Sequence, residues 1–301
     1  MHSKSGSIVV GVDGSPHAAR ALQWAIKQAT VEHRRLTLAH SINTASPAFI
    51  DAAIVDSRSS RSILEMAGQQ VLDEARSTVE GTAPELEVHE AFALADPRDV
   101  LLQLSEKAST LVVGSRGRGR VRSLLLGSVS AALVQHAHCP VVVVRPEHGD
   151  AVRNGILVGF DASPESRPVL EFAFREAYLH QLPLTVLECR WDVQLPMGTD
   201  SVSDAVGDLE PEGLFLAEAT AAMKQQYPDV HVTTRTTRGL PHEAITRVGE
   251  QMDLIVVGAH QHGRIARALL GSVSVAVVES ATCPVAVVPV STAQGKNQPA
   301  T

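Results

Sequence analysis

Short apolar runs alternate along the chain with segments in which apolar residues recur every three or four positions. Residues 8–12 form a continuous apolar run followed by Asp13, a pattern typical of a strand buried on both faces. Apolar residues then occur at positions 18, 21, 22, 25, 26 and 29, the spacing of one face of an amphipathic helix. Alternating strands and helices predict a parallel sheet with helices on both faces, that is, a doubly wound α/β fold.

Each half of the chain is predicted to contain the same alternation. In the first half the predicted strands are 8–12, 36–40, 86–91, 111–113 and 141–144, and the predicted helices are 18–29, 63–79, one that opens at Pro97, and 128–137. In the second half the predicted strands are one beginning at Ile156, then 184–188, 230–235, 254–257 and 285–288, and the predicted helices are one around 169–177, then 214–226, one that opens at Pro241, and 272–281.

The two halves are copies of one unit. Residues 8–16 reappear as 156–164, and residues 124–144 reappear as 268–288 with 14 of 21 positions identical. Because both matches occur in the same order, the chain is a tandem duplication. The polar, glycine-containing stretch 147–155 has the character of a linker. We therefore predict domains at 1–146 and 155–290, followed by a disordered polar tail at 291–301.

Composition narrows the class of protein. The chain has 301 residues, is 44% hydrophobic and 20% charged, and carries a net charge of -7, which favours a globular protein and argues against a nucleic-acid binder. No apolar run approaches the roughly 18 residues of a membrane span, and no signal peptide is recognised at the N-terminus. The three cysteines form no C-x-x-C pair. We therefore expect a cytoplasmic protein without disulfides, zinc or a membrane association.

The chemistry of a parallel sheet is expected at the carboxyl ends of its strands. In the first half these ends are residues 11–15, residues 40–41 and the glycine-rich segment 114–130. A glycine-rich loop that leads into a helix suits phosphate, because backbone N–H groups approach the anion closely and the helix N-terminus is partly positive. Ser128 and Ser130 are placed either to cap that helix or to donate to phosphate. The segment is neither a Walker A loop nor a dinucleotide fingerprint.

The spacing Gly-x2-Gly-x9-Gly-Ser follows a Leu-Val-Val strand in a chain that opens Val-Val-Gly-Val-Asp-Gly-Ser. In these motifs the chain resembles the ATP-binding type of the universal stress protein family, over residues 7–145 and 155–289. The resemblance implies two tandem, Rossmann-like (flavodoxin-like) five-stranded sheets with strand order 3-2-1-4-5. It also implies ATP with a divalent ion such as Mg²⁺, and pairing of the fifth strands across a dimer or pseudo-dimer.

The resemblance also assigns roles to residues of this chain. Asp13 and Asp161 would meet the nucleoside, the backbone at Ser41 and Cys189 would meet the adenine, and the loop glycines and serines would hold ribose and phosphates. The candidate residues of the first half are Gly11, Asp13, Ser41, Gly114, Arg116, Gly117, Gly119, Gly127, Ser128, Val129 and Ser130. Those of the second half are Gly159, Asp161, Cys189, Gly258, His260, Gly263, Gly271, Ser272, Val273 and Ser274. No catalytic residue and no protein metal site is predicted.

The second half departs from the pattern at Gln261, which stands where the first half has Gly117. If that position needs a left-handed backbone, a non-glycine residue costs roughly 1–2 kcal/mol, and its side chain would stand in the path of the phosphates. We therefore predict a weaker or altered second site.

Several of these residues also have a structural interpretation. Asp13 and Asp161 could cap the following helices. The arginines of residues 116–122 could be a solvated loop. His260 and His262 are more typical of structural or solvent-facing histidines than of a metal site. Cys139 and Cys283, each before a proline, fit packing at the start of the fifth strand better than a redox role.

The function expected is that of a regulator whose bound ATP sets its conformation, assembly or partner choice under stress. The alternatives are a slow ATPase or phosphotransferase that uses the same loop, and a scaffold with a degenerate site. A homodimer through strand-five or helix surfaces and an unidentified protein partner are expected. The copies diverge most at 46–62 and 196–213, which fits either partner specificity or a variable surface loop.

Overall fold

A computed structural model describes residues 6–44, 57–117, 126–145, 154–161, 163–190, 202–203, 211–260 and 272–290. The strands are β1 (Ile8–Gly11), β2 (Leu36–Ser41), β3 (Val88–Ala93), β4 (Thr110–Gly114), β5 (Val141–Val144), β6 (Ile156–Phe160), β7 (Leu184–Arg190), β8 (Val202–Ser203), β9 (Val232–Arg238), β10 (Leu254–His260) and β11 (Val285–Val290). The helices are α1 (Pro16–Glu32), α2 (Ser57–Thr82), α3 (Pro97–Ser105), α4 (Ser128–His136), α5 (Arg167–His180), α6 (Pro211–Gln226), α7 (Pro241–Gly249) and α8 (Ser272–Ser280). The predicted linker is described only in its last two residues, and the predicted tail lies outside the described residues.

The strands form one sheet in the order β3-β2-β1-β4-β5-β11-β10-β6-β7-β9-β8. Within each half the pairs β1 with β2 and with β4, and β6 with β7 and with β10, are parallel. This is the 3-2-1-4-5 order in both halves, so the doubly wound α/β fold is confirmed. The fifth strands, β5 and β11, pair antiparallel with each other and join the two five-stranded units across a pseudo-twofold axis. The short antiparallel strand β8 at the sheet edge was not predicted.

The first helix of each half follows from local chemistry. Ser15 caps α1 by accepting from the N–H of Ala18 at 3.2 Å, and Pro16 occupies the first turn, where proline needs no N–H partner. The helix ends at His33, which has a left-handed φ of 50°, and α5 ends at the equivalent Gln181 with φ 53°. The starts differ, because residues 164–166 form a 3-10 turn before α5.

Two apolar layers cover the two faces of the sheet and continue across the seam between the halves. Along β1, Ile8 and Val10 belong to one layer and Val9 to the other. Val142 and Ala286 lie in the first layer, whereas Val143 and Val285 lie in the second. Because both cores run through the paired strands β5 and β11, the halves pack as one body.

Element boundaries shift by a few residues from those predicted. The helix predicted at 63–79 extends over α2, and the strand predicted at 86–91 lies two residues later as β3. Among the described helices, none is long and apolar enough to cross a membrane.

Candidate nucleotide site in the first half

A cavity of about 540 Å³ opens at the carboxyl ends of β1, β2 and β4. It brings together most of the residues predicted for the first-half site, although their segments are far apart in the chain. The predicted residues that line it are Gly11, Asp13, Ser41, Gly114, Gly117, Gly127, Ser128, Val129 and Ser130. Arg116 lies directly beside this set, and Gly119 falls outside the described residues.

Asp13 faces the glycine-rich loop. Its Oδ1 accepts from the N–H of Ser15 at 2.9 Å, and a Cβ placed on Gly117 would lie 2.6 Å from its Oδ2. The cap of α1 is Ser15, so Asp13 is not the helix N-cap. The φ of Gly117 is outside the left-handed region. Close approach to the carboxylate, and not a left-handed backbone, is therefore the reason for glycine at this position.

Gly114 sets the distance between β4 and α1. A Cβ on Gly114 would lie 2.7 Å from the backbone carbonyl oxygen of His17 in the first turn of α1. Since real Cβ atoms do not approach backbone that closely, glycine is needed for α1 to pack against the end of β4. This packing holds Asp13, just before α1, next to the loop that follows β4.

The N-terminus of α4 points its backbone N–H groups at the cavity. Its N-cap is Gly127, and no side chain within the described part of the chain caps it, whereas α1 and α3 of the same half are capped by Ser15 and Asp96. The Ser130 hydroxyl donates to the Gly114 carbonyl at 2.8 Å and so ties the first turn of α4 to the end of β4. The exposed Ser128 and the N–H groups of the first turn are therefore left for an anion.

The opposite end of the cavity is apolar and was not predicted residue by residue. Its walls come from Leu64 and Ala67 of α2 and from Pro97 and Val100 of α3. Both helices adjoin β3, and α3 begins at the carboxyl edge of the sheet. A proline-initiated helix after the third strand was the available signal for α3, whereas nothing in the sequence placed α2 over the site.

Two polar residues of the apolar end have partners in the protein. The His40 ring lies 2.7 Å through Nδ1 from the Val12 carbonyl oxygen and stacks on Phe92. The Ser41 hydroxyl donates to the Ala95 carbonyl at 2.6 Å. These contacts hold the end of β2 in place, so that this end of the cavity is lined mainly by apolar side chains.

Cationic side chains gather beside the loop. Arg20 donates from Nη2 to Nδ1 of His17 at 3.0 Å, and the Ser115 hydroxyl lies 3.3 Å from the same nitrogen. Burial lowers the pKa of His17, and the charges of Arg20 and Arg116 lower it further. Arg145 follows β5 and donates to the carbonyls of Ala281 and Glu279 at 3.0 and 2.9 Å, in the second half.

The second-half residues are described in part. Asp161 is exposed, and its Oδ1 accepts from the N–H of Ser163 at 3.0 Å and from the Ser166 hydroxyl. Burial raises the pKa of the Cys189 thiol to about 11. Gly159 packs against the Ile245 side chain. The loop in which Gln261 is predicted to alter the second site, residues 261–271, lies outside the described residues. It includes His262, Gly263 and Gly271. The side chains of His260 and Ser272 are likewise outside them.

The remaining candidate chemistry has structural explanations. Cys139 and Cys283 are buried, and burial raises the pKa of Cys139 to about 12, which fits packing and not thiolate chemistry. In the part of the chain that the structure describes, no three His, Cys, Asp or Glu side chains are grouped as metal ligands. Arg118, Arg120 and Arg122 lie outside that part.

Comparison with known proteins identifies the family. The model of the universal stress protein family matches residues 5–145 and 153–289. A universal stress protein of Mycolicibacterium smegmatis is 33% identical over 303 residues, covering 93% of this chain and 96% of that protein. One of Mycobacterium tuberculosis is 31% identical over 303 residues, with coverage of 95% and 97%.

A solved structure shows the same fold. The universal stress protein from Archaeoglobus fulgidus matches with a TM-score of 0.71 at 20% identity, over 95% of this chain and 99% of that one. The two family-model matches and the relatives that align over most of this chain imply a role in the stress response. The chain therefore belongs to the universal stress protein family and carries two copies of its domain.

Proposed function

We propose that the first half binds ATP and that the bound nucleotide regulates the protein's conformation in the stress response. The observation that carries this proposal is the 540 Å³ cavity, because its lining combines apolar side chains, the carboxylate of Asp13 and an uncapped helix N-terminus. A purine, a ribose and a chain of phosphates require these three kinds of environment.

Each part of the nucleotide has a counterpart in the cavity. The purine lies between α2 and α3, against Val100 and the end of β2. The ribose hydroxyls donate to Asp13. The phosphates accept from the backbone at Gly117 and from the first turn of α4, where the helix dipole favours negative charge.

A divalent ion bound to the phosphates of the nucleotide is compatible with this arrangement. Asp13 is the carboxylate among the described residues that line the cavity, and Mg²⁺ commonly takes one or two carboxylates together with phosphate oxygens and water. The ion would offset phosphate charge, and Asp13 is the side chain within the described lining that would reach toward it.

Binding without efficient turnover is the form of the proposal that the described residues favour. A general base must lie within hydrogen-bond reach of the attacking water. Asp13 is held by the Ser15 N–H, and His40 is buried against Val12 and Phe92 at the opposite end of the cavity. Both side chains are engaged within the protein, which favours binding over catalysis.

The output of binding would pass through α2. This helix contributes Leu64 and Ala67 to the cavity and exposes the large apolar side chains of Ile63 and Met66. Filling the cavity fixes α2, so occupancy changes the presentation of an exposed apolar helix face. A protein partner or a second copy of the chain would read that change.

Mass spectrometry of the purified protein for retained nucleotide, followed by calorimetric titration with ATP, tests the proposal. We expect ATP to bind with Mg²⁺ and to be recovered intact after long incubation, and amide exchange in α2 to slow on binding. Steady phosphate release would favour the slow ATPase instead. Absence of any adenine nucleotide binding would leave the scaffold alternative.

Binding should be unequal between the halves. Gln261 stands at the position equivalent to Gly117, where an added Cβ would lie 2.6 Å from the Oδ2 of Asp13. The counterpart aspartate, Asp161, is exposed and bonded to two serines. We expect a titration stoichiometry near one ATP per chain. Two equal sites would contradict this expectation.

A further inference from the structure

Two buried guanidinium nitrogens beside the cavity have no hydrogen-bond partner among the described residues. They are Nε of Arg20 and Nε of Arg116. Buried donors in folded proteins are nearly always paired, so these two unpaired donors indicate a group that the described residues do not supply. An anion with several oxygens, such as a phosphate, is a strong hydrogen-bond partner for guanidinium donors.

The two arginines belong to one cluster with Arg145, which we call the arginine cluster. Burial lowers the pKa of His17, and the charges of Arg20, Arg116 and Arg145 lower it further; burial and then the charge of Arg116 lower the pKa of Arg145. These effects place the three positive charges close together. In the described part of the chain, the carboxylates that act on His17 and Arg145 are Asp13 and Glu279, two negative charges beside three arginines.

The cluster adjoins the phosphate end of the cavity through the backbone of His17 and of Arg116. His17, which accepts from Arg20, has its backbone against Gly114. Arg116 immediately precedes Gly117, and its Cα lies 3.5 Å from a Cβ placed on Gly127. Gly114, Gly117 and Gly127 all line the cavity.

The duplication gives an independent comparison. The counterparts of Arg20 and Arg145 are Pro168 and Pro289, the counterpart of Arg116 is His260, and the counterpart of His17 is Glu165. The arginine cluster is therefore a property of the first half alone. Packing common to both copies does not explain it, since the second copy forms the same sheet without it.

We propose that the arginine cluster binds a phosphoryl oxoanion next to the nucleotide site and so makes the first half selective for nucleotides with a longer phosphate chain. This inference rests on the proposed function for its first source of the anion, the terminal phosphate of ATP. The second source with the same chemistry is free inorganic phosphate. Arg20 is the diagnostic residue, because it lies on α1 outside the glycine-rich loop.

The test uses the full chain and titrates ATP, ADP, AMP, adenosine and inorganic phosphate into the wild type and into Arg20→Gln. We expect Arg20→Gln to weaken ATP binding about tenfold to a hundredfold, as for loss of a charge-assisted hydrogen bond, and to leave adenosine binding within about twofold. Arg20→Lys, which keeps the charge, should lose less. Arg167→Gln is the matched control, because Arg167 is an exposed arginine of α5 paired with Glu171.

The outcomes separate the two sources and the two proposals. Weaker ATP binding identifies the terminal phosphate, whereas phosphate binding that Arg20→Gln abolishes without affecting ATP identifies a free anion. Equal weakening of ATP and adenosine, or no change for ATP and phosphate, overturns the inference while the proposed function stands. If the wild type binds no nucleotide, the effect of Arg20→Gln on the binding of inorganic phosphate still tests whether the arginine cluster binds an oxoanion. Circular dichroism checks folding, and Arg116→Gln replaces Arg20→Gln if that variant unfolds.

Discussion

At the scale of single residues, the contact between Gly117 and Asp13 ties the loop after β4 to the end of β1. The approach is so close that a methyl group at position 117 would meet the Oδ2 atom at 2.6 Å. Gly117 is exposed and its backbone is not left-handed, so a side chain there would have to displace the Asp13 carboxylate but would not strain the backbone.

Replacing Gly117 should therefore affect binding more than folding. We expect Gly117→Ala to weaken ATP binding about tenfold or more while the free energy of unfolding changes by less than about 1 kcal/mol. Calorimetric titration and thermal unfolding give the two quantities. Gly81→Ala is the control, because a Cβ there meets nothing within 4 Å. A Gly117→Ala protein that binds ATP like the wild type would argue against the assigned site.

At the scale of elements, the two halves differ in how the first helix meets the fourth strand. In the first half, Gly114 lies against the backbone of α1 at His17. In the second half, the counterpart Gly258 faces the Cγ2 atoms of Val169 and Val290, each at 3.1 Å from a Cβ. The 3-10 turn at residues 164–166 delays the start of α5, so its first turn does not reach the strand in the same way.

This difference predicts unequal effects of the same substitution. Gly114→Ala must displace the backbone of α1, which costs about 1–3 kcal/mol in unfolding free energy. It should also weaken nucleotide binding, because the packing of α1 against β4 holds Asp13 next to the loop. Gly258→Ala requires a shift of a few tenths of an ångström in two side chains and should be milder. Chemical denaturation of both variants measures the difference. Equal losses would show that α1 and α5 meet their strands alike.

At the scale of the whole molecule, a buried polar cluster lies on the pseudo-twofold axis between α1 and α5. Gln28 donates to Glu32 at 2.8 Å and to its own counterpart, Glu176, at 2.7 Å. Nε2 of His180 lies 2.8 Å from the side-chain amide oxygen Oε1 of Gln28, and Arg175 donates to Glu176 at 2.9 Å. These contacts fix the register of the two halves at a position where both cores meet.

The histidine of this cluster should make stability fall in mild acid, whereas burial raises the pKa of the Glu176 carboxyl, which acts in the opposite direction. Burial lowers the pKa of His180, and the carboxylates of Glu32 and Asp253 offset only part of this effect. The unfolded chain therefore takes up more protons as the pH falls below about 6.5, and folding loses free energy in that range. His17, whose pKa is also lowered, contributes in the same direction.

Thermal unfolding at about pH 7.5 and about pH 5.5 measures this dependence. His180→Gln keeps a donor toward Gln28 but does not titrate, so we expect a smaller loss of stability between the two values than in the wild type, with a remainder due to His17. His89→Gln, at an exposed histidine of β3, should behave like the wild type. An unchanged pH dependence in His180→Gln would refute this explanation.

Much of this architecture was readable from the chain. The alternation of apolar runs and amphipathic stripes, the repeats at 8–16 and 124–144, and Pro16 and Pro97 at helix starts predicted the elements and their order. These signals are local, because burial on one or two faces and the chemistry of a helix end impose their pattern on neighbouring residues. The carboxyl-end rule for parallel sheets then placed Asp13 and the glycine-rich loop at one edge.

Other features were decided by tertiary structure alone. The sequence contains Gly117 and Asp13, but only packing brings them into contact. That contact explains the glycine at position 117 by its closeness to a carboxylate and not by a left-handed backbone. The walls of the cavity on α2, the arginine cluster from α1 and the segments after β4 and β5, and the bond between Gln28 and Glu176 likewise join distant segments. The periodicity of apolar residues specifies which face of an element is buried, whereas the packing of the whole sheet determines which other element lies against that face.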